Sequence, residues 1–258
     1  MERSESYIRM LNKLGYYDYQ QGLIIRHLKQ KSGWDSHLEK CRNFILKAAD
    51  YYKPQRVTVM GSGWLLDLPL TELLETVNSI TLIDIVHPPD VISQVSGLKN
   101  VRLLEDDVTG GLIYAVWKEA RRAGLFRKMK TLRNIEIPKY TFNEDPGLLI
   151  SLNILSQLHV LPLRYLKKIC AAGDDEYDRF TQLVQQNHLE LLGKYNSVII
   201  TDTAEVFTWK SGTVSEEISV LVSIPEGRVR EEWTWDFDLK GSDFNEKRSV
   251  MKVTAVNL

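Results

Sequence analysis

Three stretches of the sequence place glycines or acids where they could bind a nucleotide-like ligand. Residues 57–64 read Val-Thr-Val-Met-Gly-Ser-Gly-Trp, a β-rich run that ends in the turn Gly61–Gly63. Glycine has no Cβ, so this turn can bend sharply and approach a ligand closely. Asp84 ends the next apolar run about twenty residues later, where a carboxylate can accept hydrogen bonds from both hydroxyls of a ribose.

A third apolar run is followed by Asp106 and Asp107. A carboxylate or a backbone amide at that position, such as the amide of Val108, could contact the edge of an adenine. Each of these signals is weak alone. Three of them in chain order, each at the end of a predicted strand, indicate one crevice at the carboxyl ends of parallel strands.

The strands that must position these residues are short and almost continuously apolar. Five such runs occupy residues 56–60, 80–85, 101–104, 148–152 and 197–201. Helical or long polar segments separate them, as right-handed parallel crossovers require. Continuous apolarity is typical of strands covered on both faces, so the sequence predicts an α/β fold with a mostly parallel sheet and helices on both sides.

The last forty or so residues have a different pattern, since apolar and polar side chains alternate there. The alternating runs cover residues 218–224, 233–239 and 250–256, with short turn sequences between them. We therefore expect the parallel sheet to end in antiparallel C-terminal edge strands.

Residues 1–54 are predicted to be helical. After Trp34 the apolar positions follow a 3.6-residue period, and Ser36 with Glu39 has the spacing of a capping box. Pro54 should end this helix, because the residue before a proline is pushed out of the α region. We expect a helical cap over residues 1–54 and a main domain over residues 55–258.

Residues 34–258 resemble the class I S-adenosylmethionine-dependent methyltransferases, which have a Rossmann-like fold. The likeness is carried by the glycine turn, Asp84, Asp107, and Asn153 after the fourth strand. The sequence is more specifically similar to a bacterial branch, in three motifs: Trp34-x-x-His37-Leu38, Gly-Ser-Gly-x-Leu-x-Asp-x-Pro-Leu from Gly61, and Ser-Leu-Asn-x-Leu-Ser-Gln-Leu at 151–158. The family's usual acid before the first glycine is Val59 here, and its usual third glycine is Leu65.

The resemblance implies that the chain binds S-adenosylmethionine, releases S-adenosylhomocysteine, and methylates a small-molecule substrate that the sequence does not identify. The alternative is an inactive relative that binds an adenosyl ligand or a protein partner. The implied cofactor-binding residues are Gly61, Ser62, Gly63, Trp64, Asp84, Ile85, His87, Asp107, Val108 and Asn153.

Several side chains allow a structural interpretation beside the functional one. Trp64 could pack under the sheet or line the crevice, and Asp67 could cap a helix that begins near Pro69. Trp34 and His37 could form a lid over the crevice or fix their helix to the core, and Gln157 is a further candidate for the substrate side.

Proton abstraction has three weak candidates, His37, His188 and Asp202. His87 is expected in a loop near Asp84, and the Asn153 amide could pair with backbone or with substrate. The basic run from Lys118 to Lys130 is interpreted as a solvated helix face.

Two other classes of function are disfavoured. Tyr114-Ala-Val-Trp-Lys118 matches the Tyr-x-x-x-Lys of short-chain dehydrogenases, but it follows the third strand, whereas that chemistry needs it after a later one. The third glycine of a G-x-G-x-x-G motif is replaced by Leu66. We interpret the five scattered histidines as lacking both an H-x-x-x-H and a His/Cys ligand spacing, so no metal site is expected.

Composition sets the remaining expectations. A net charge of −1 gives no reason to expect a nucleic-acid partner or a membrane surface. The N-terminus lacks the apolar stretch of a signal peptide, and no apolar run is long enough for a membrane span. Cys41 and Cys170, the only cysteines, are expected to be reduced and buried, which favours a cytoplasmic protein.

Overall fold

The sheet and helices follow from a computed structural model that describes residues 4–30, 32–123, 129–241 and 247–258. The helices are α1 (Glu5–Leu14), α2 (Tyr16–Gln30), α3 (Ser32–Tyr52), α4 (Leu70–Leu74), α5 (Pro89–Val95), α6 (Leu112–Ala123), α7 (Val160–Ile169) and α8 (Asp174–Leu192). The strands are β1 (Arg56–Met60), β2 (Ser79–Asp84), β3 (Val101–Glu105), β4 (Leu148–Leu152), β5 (Ser197–Trp209), β6 (Val214–Ile218), β7 (Val229–Asp238) and β8 (Lys247–Asn257).

The strands form one sheet in the order β3-β2-β1-β4-β5-β8-β7, with β6 pairing with β5 outside this path. Strands β1 to β5 are parallel, and β6, β7 and β8 are antiparallel to their neighbours. The predicted Rossmann-like α/β fold with an antiparallel C-terminal edge is therefore confirmed. The strand order reverses between β1 and β4, and a ligand crevice forms at this point in open α/β sheets.

The predicted strand over residues 218–224 is wrong. β6 ends at Ile218, and residues 219–228 contain no regular strand. The Gln185 side chain donates to the Ser219 carbonyl and accepts from the Leu221 amide, both at 2.8 Å. Alternation here reflects packing, because Val220 belongs to an apolar cluster with Leu189 and Leu191 of α8 and Val222 and Ile224 pack against it.

The N-terminal segment is helical, as predicted, but the capping box is wrong. Helix α3 begins at Ser32, so Ser36 and Glu39 lie inside the helix and cannot cap it. The helix ends at Tyr52, before Lys53 with its left-handed φ of +46° and then Pro54.

Helix α3 packs against the sheet, and α1 packs against a different part of the molecule. Trp34, Cys41 and Ile45 share one core with the inward side chains of β7. Met10, Leu11 and Leu14 of α1 form a separate cluster with Val86 and Ile113. The division into residues 1–54 and 55–258 stays a prediction.

Both cysteines are buried and unpaired, as expected. Within the described ranges, none of the helices combines the length and the apolarity needed to cross a bilayer.

Candidate ligand-binding site

A cavity of about 180 Å³ lies at the carboxyl ends of the parallel strands, where the strand order reverses. The loops after β1, β2, β3 and β4 form its floor, and α2 with the start of α3 covers it. The sequence-predicted residues on its wall are Trp34, His37, Gly61, Gly63, Trp64, Asp84, Ile85, Asp107, Val108, Asn153 and Gln157.

The glycine turn after β1 needs residues without a side chain. Gly61 has a φ of +83°, and a Cβ there would lie 2.0 Å from Ile154 Cγ2 and 2.7 Å from the Leu152 carbonyl oxygen. Gly63 also has a positive φ, of +49°, but a Cβ there would meet little beyond the Gly61 carbonyl at 3.9 Å. Leu65, where the family has its third glycine, keeps a left-handed φ of +58°.

Asp84 connects the glycine turn to β2 and to α2. Its Oδ2 accepts from the Gly63 amide at 2.8 Å. Its Oδ1 accepts from the Ile85 amide at 2.7 Å and from Gln20 Nε2 at 3.1 Å. Burial raises the pKa of Asp84, and the Gly63 hydrogen bond opposes that rise.

Asp107 mainly holds its own loop. Its Oδ1 accepts from the amide of Thr109 at 3.0 Å and from the Thr109 hydroxyl, and its Oδ2 accepts from the Ile113 amide at 3.1 Å in the first turn of α6. Asp106 accepts a 2.8 Å hydrogen bond from the Tyr140 hydroxyl. The Asp107 carboxylate therefore holds the loop in shape, and Asp107 and Val108 both lie on the cavity wall.

Asp67 does not cap a helix, contrary to the sequence interpretation. Helix α4 begins at Leu70 with Pro69 at the cap position and no side-chain cap. The Asp67 carboxylate lies on the cavity wall and accepts from Asn153 Nδ2 at 2.7 Å. Burial raises the pKa of Asp67 to about 6, and the Asn153 hydrogen bond opposes that rise.

Asn153 is held in a strained position directly after β4. Its φ is +52°, which costs a non-glycine residue of the order of 1–2 kcal/mol, less for Asn than for most others. Its amide donates to the Ile200 carbonyl at 2.8 Å, and its carbonyl accepts from Gln157 Nε2 at 2.7 Å. The side-chain Oδ1 is buried without a hydrogen-bond partner among the described residues.

His37 is fixed by two tryptophans of β7. Its ring stacks on Trp235 at 3.9 Å between centroids, and its Nδ1 accepts from Trp233 Nε1 at 3.1 Å. An indole N–H can only donate, so Trp233 uses Nδ1 of the neutral imidazole as an acceptor, while Nε2 lies 3.3 Å from Asn153 Nδ2, which is another donor. Burial lowers the pKa of His37 to about 3. His37 is thus neutral and a weak base, which argues against its predicted role in proton abstraction.

His37, Cys41 and Asp67 offer three ligand-type atoms within 4.8 Å of one another. His37 and Cys41 lie four residues apart on α3, so the interpretation that no His/Cys spacing exists is wrong. A metal ligand must be an unprotonated imidazole nitrogen or a thiolate. Trp233 already donates to Nδ1 of His37, and burial raises the pKa of the Cys41 thiol. The expectation that no metal binds here stays a prediction.

Trp34 anchors α3 and also forms part of the cavity wall. Its Nε1 donates to the Phe237 carbonyl at 3.0 Å, and its ring contacts Trp235 edge-on. This geometry favours the interpretation that Trp34 and His37 fix the helix to the core. The lid interpretation fits α2 better, since Trp64 Nε1 donates to the Gln20 carbonyl at 2.9 Å and Tyr19 donates to Gln157 Oε1 at 3.1 Å.

Four predicted side chains lie away from this cavity. The His87 ring faces the Leu104 carbonyl at 3.3 Å, and Ser62 is buried. His188, which is 3% exposed, pairs with Ser151 Oγ at 2.8 Å, and Asp202 lies inside β5, where it accepts from Ser156. His188 and Asp202 therefore cannot reach a ligand in this cavity.

Outside the site, Tyr114 is 61% exposed on α6, so it cannot serve a buried hydride-transfer centre. The basic run begins on the same helix with Lys118, Arg121 and Arg122 exposed, as expected for a solvated face. Its residues 124–128 lie outside the described part of the chain.

Sequence analysis missed the residues that α2 contributes. Tyr16, Tyr19, Gln20 and Leu23 line the cavity, and no motif in residues 16–30 indicates this. Trp235 was also missed, although its inward position in the alternating β7 pattern was a usable signal.

The charged side chains of the described cavity wall are all acidic. Asp67, Asp84, Asp106 and Asp107 all line the cavity, and no lysine or arginine does so among the described residues. The fold and this wall define an α/β domain with an acidic, aromatic-rich crevice at its topological switch point.

No protein-family model and no curated relative matches the chain. Solved structures that it is similar to include DhpI bound to S-adenosylhomocysteine, at 14% identity and a TM-score of 0.37 over 99% of this chain and 98% of that one. Another is the N-methyltransferase NodS from Bradyrhizobium japonicum with the same ligand, at 10% identity and a TM-score of 0.39 over 84% of this chain and 85% of that one.

A third is the Burkholderia thailandensis 1,6-didemethyltoxoflavin-N1-methyltransferase with 1,6-didemethyltoxoflavin and S-adenosylhomocysteine bound. It is 11% identical, with a TM-score of 0.39 over 100% of this chain and 92% of that one. Identities and TM-scores this low assign neither a family nor a ligand to this chain.

Proposed function

We propose that this protein transfers a methyl group from S-adenosylmethionine to a small molecule. The observation that carries the proposal is the acidic cavity without a cationic side chain on its described wall. The sulfonium and ammonium groups of S-adenosylmethionine are positively charged, so the negative charge of this wall favours their binding. The pyrophosphate of a dinucleotide would be repelled, because anionic groups gain from positive charge and helix N-termini.

The proposed cofactor lies along the strand ends in the order the sequence predicts. Asp84 binds the ribose, and the loop at Asp107 and Val108 contacts the adenine. The turn at Gly61 and Gly63 lies against the amino-acid part of the cofactor. His87 and Ser62, which the sequence assigned to the cofactor, would act only by shaping the loops around it.

The opposite end of the cavity, at His37, Asp67 and Asn153, is then left for the methyl acceptor. The sulfonium methyl is already activated, so catalysis rests mainly on in-line positioning of the two reacting atoms. An acceptor that must lose a proton gives it to Asp67, which is the ionisable acid at this end. The aromatic side chains of Trp34 and Trp235 favour an apolar, planar acceptor.

The small volume of the cavity implies that α2 moves when a ligand binds. A volume of about 180 Å³ is below the roughly 300–1,000 Å³ of ordinary ligand pockets. Gln20 also occupies the Asp84 oxygen that a ribose hydroxyl would use. Ligand entry therefore requires α2 to shift outward. A cytoplasmic location belongs to the same proposal, supported by two unpaired thiols.

An inactive relative is the second candidate, favoured by the same Gln20–Asp84 contact and by buried Val59 in place of the family's acid. Calorimetry with S-adenosylmethionine and S-adenosylhomocysteine tests the first step. Binding of both, followed by S-adenosylhomocysteine formation in a metabolite screen, supports the enzyme. If calorimetry detects no binding of either ligand, the proposal is contradicted. Binding without turnover across the screen favours the inactive relative.

A further inference from the structure

Asp67 differs from the other acids on the cavity wall in its position and its partner. Asp84 ends β2 and accepts from the backbone amides of Gly63 and Ile85, and Asp107 follows β3 and accepts from the backbone amides of Thr109 and Ile113. Asp67 lies in the loop after β1 and pairs with Asn153 after β4, on the other side of the topological switch point. With an adenosine over β2 and β3, Asp67 lies toward the reacting end of the cofactor.

The surroundings of Asp67 contain no group that neutralises it by direct contact among the described residues. Facing it are the Asn153 amide, the neutral His37 ring, the buried thiol of Cys41 and, at longer range, the Arg42 guanidinium of α3. Arg42 Nε donates to the Leu38 carbonyl at 3.1 Å. The orphaned Asn153 Oδ1, which is buried beside this pair, adds a second acceptor without a donor.

We propose that Asp67 faces the sulfonium of S-adenosylmethionine. Its carboxylate then makes the protein bind the cationic methyl donor in preference to the neutral product S-adenosylhomocysteine. This inference rests on the proposed function. The two ligands share the adenosine, the ammonium and the carboxylate and differ by the methyl group and one positive charge. Only a group beside the sulfur interacts strongly with that extra charge, because the Coulomb energy falls with distance and with screening.

The sign of the pH effect follows from linkage. A cation beside Asp67 favours the ionised carboxylate, so binding S-adenosylmethionine releases a proton at pH values between the lowered pKa of the bound state and the free pKa of about 6. Its affinity therefore falls as the pH drops through 6. S-adenosylhomocysteine carries no sulfonium charge, so its affinity stays nearly flat. Effects of Asp84 and Asp107 act on the shared adenosine and cancel in the ratio of the two affinities.

The experiment is calorimetric titration of the full chain with both ligands at several pH values from 5.0 to 7.0. We expect the preference for S-adenosylmethionine over S-adenosylhomocysteine to fall about fivefold to tenfold between pH 7.0 and pH 5.0, since one pKa unit corresponds to a tenfold change. Asp67→Asn should remove this pH dependence and reduce the preference at pH 7.0. Asn153→Gly, which tolerates the positive φ, should move the midpoint upward because a hydrogen bond that lowers the Asp67 pKa is lost.

Asp106→Asn is the matched control, since it removes an equal charge from the same wall at the β3 end. It should leave the pH dependence of the ratio in place. A ratio that is independent of pH in the parent protein, or one that Asp67→Asn leaves unchanged, would overturn the inference while both ligands still bind. If neither ligand binds the parent protein, the proposed function itself fails, and the inference fails with it.

Discussion

At the scale of single residues, Asp84 carries both a structural and a proposed binding role. Asp84→Ala removes the proposed ribose contact and should weaken binding of S-adenosylhomocysteine by about 1.5–3 kcal/mol, the range for hydrogen bonds to a charged group. The Gly63 amide also loses its acceptor, so a lower unfolding temperature is expected. Calorimetry and thermal unfolding measure the two effects separately. A variant that binds like the parent would remove Asp84 from the ribose site.

The two glycines of the turn should respond differently to substitution. Gly61→Val should destabilise the protein severely, because the added Cβ would lie 2.0 Å from Ile154 Cγ2. Gly63→Ala meets open space and should cost only about 1–2 kcal/mol for its left-handed backbone. Because Gly63 lies on the cavity wall, we expect ligand binding to fall far more than stability does. Equal losses in both would show that Gly63 serves the turn alone.

At the scale of elements, α1 and α2 decide whether the cavity opens. Deleting residues 1–30 retains all of α3 and should leave a folded core that binds S-adenosylhomocysteine poorly, because Tyr19, Gln20 and Leu23 are lost from the wall. The deletion also exposes Val86, so some loss of stability is expected. Far-ultraviolet circular dichroism and calorimetry check both points. Normal binding by the truncated chain would contradict a covering role for α2.

Hydrogen exchange locates the moving element. Because Trp34 is already anchored to β7, ligand should alter protection mainly in α2 around Gln20 rather than at the start of α3. Exchange that changes around Trp34 and not in α2 would restore the lid interpretation of the α3 start.

Sequence predicted the elements better than it predicted the contacts. β1 and β4 fall on the predicted runs because burial on both faces leaves an unbroken apolar signal. The positions of Asp84 and Asn153 could also be predicted, because they lie where the apolar runs of β2 and β4 end. The hydrogen bond from Trp233 to His37 could not be predicted, because the two residues lie 196 positions apart in sequence. No local pattern encodes such a pair, and the same holds for Gln20 against Asp84.

At the scale of the whole molecule, buried neutral histidines should shape stability against pH. Burial lowers the pKa of His188 to about 4. The unfolded chain therefore binds a proton at this residue near pH 6.5, whereas the folded chain does not bind it until the pH is near 4. Stability should therefore fall as the pH drops from about 6.5 to 4, by roughly 3 kcal/mol from this residue. The raised pKa of Asp67 acts in the opposite direction over part of that range.

Urea unfolding of the parent and of His188→Gln, as a function of pH, isolates this contribution. The difference between the two proteins should shrink on acidification, since the variant has no imidazole to protonate. A difference that is constant from pH 7 to pH 4 would contradict this, because it would mean that the His188 imidazole takes up its proton equally well in the folded and the unfolded protein.

The aromatic wall gives the protein an optical reporter of its own state. Three of the six tryptophans, Trp34, Trp64 and Trp235, line the cavity, and Trp34 and Trp235 lie in contact with each other. Indole emission depends on polarity and on nearby charge, so a cation entering the cavity should quench and shift it, whereas a neutral ligand should do so less. The intrinsic fluorescence of the unlabelled chain can therefore follow filling and emptying of the site in real time.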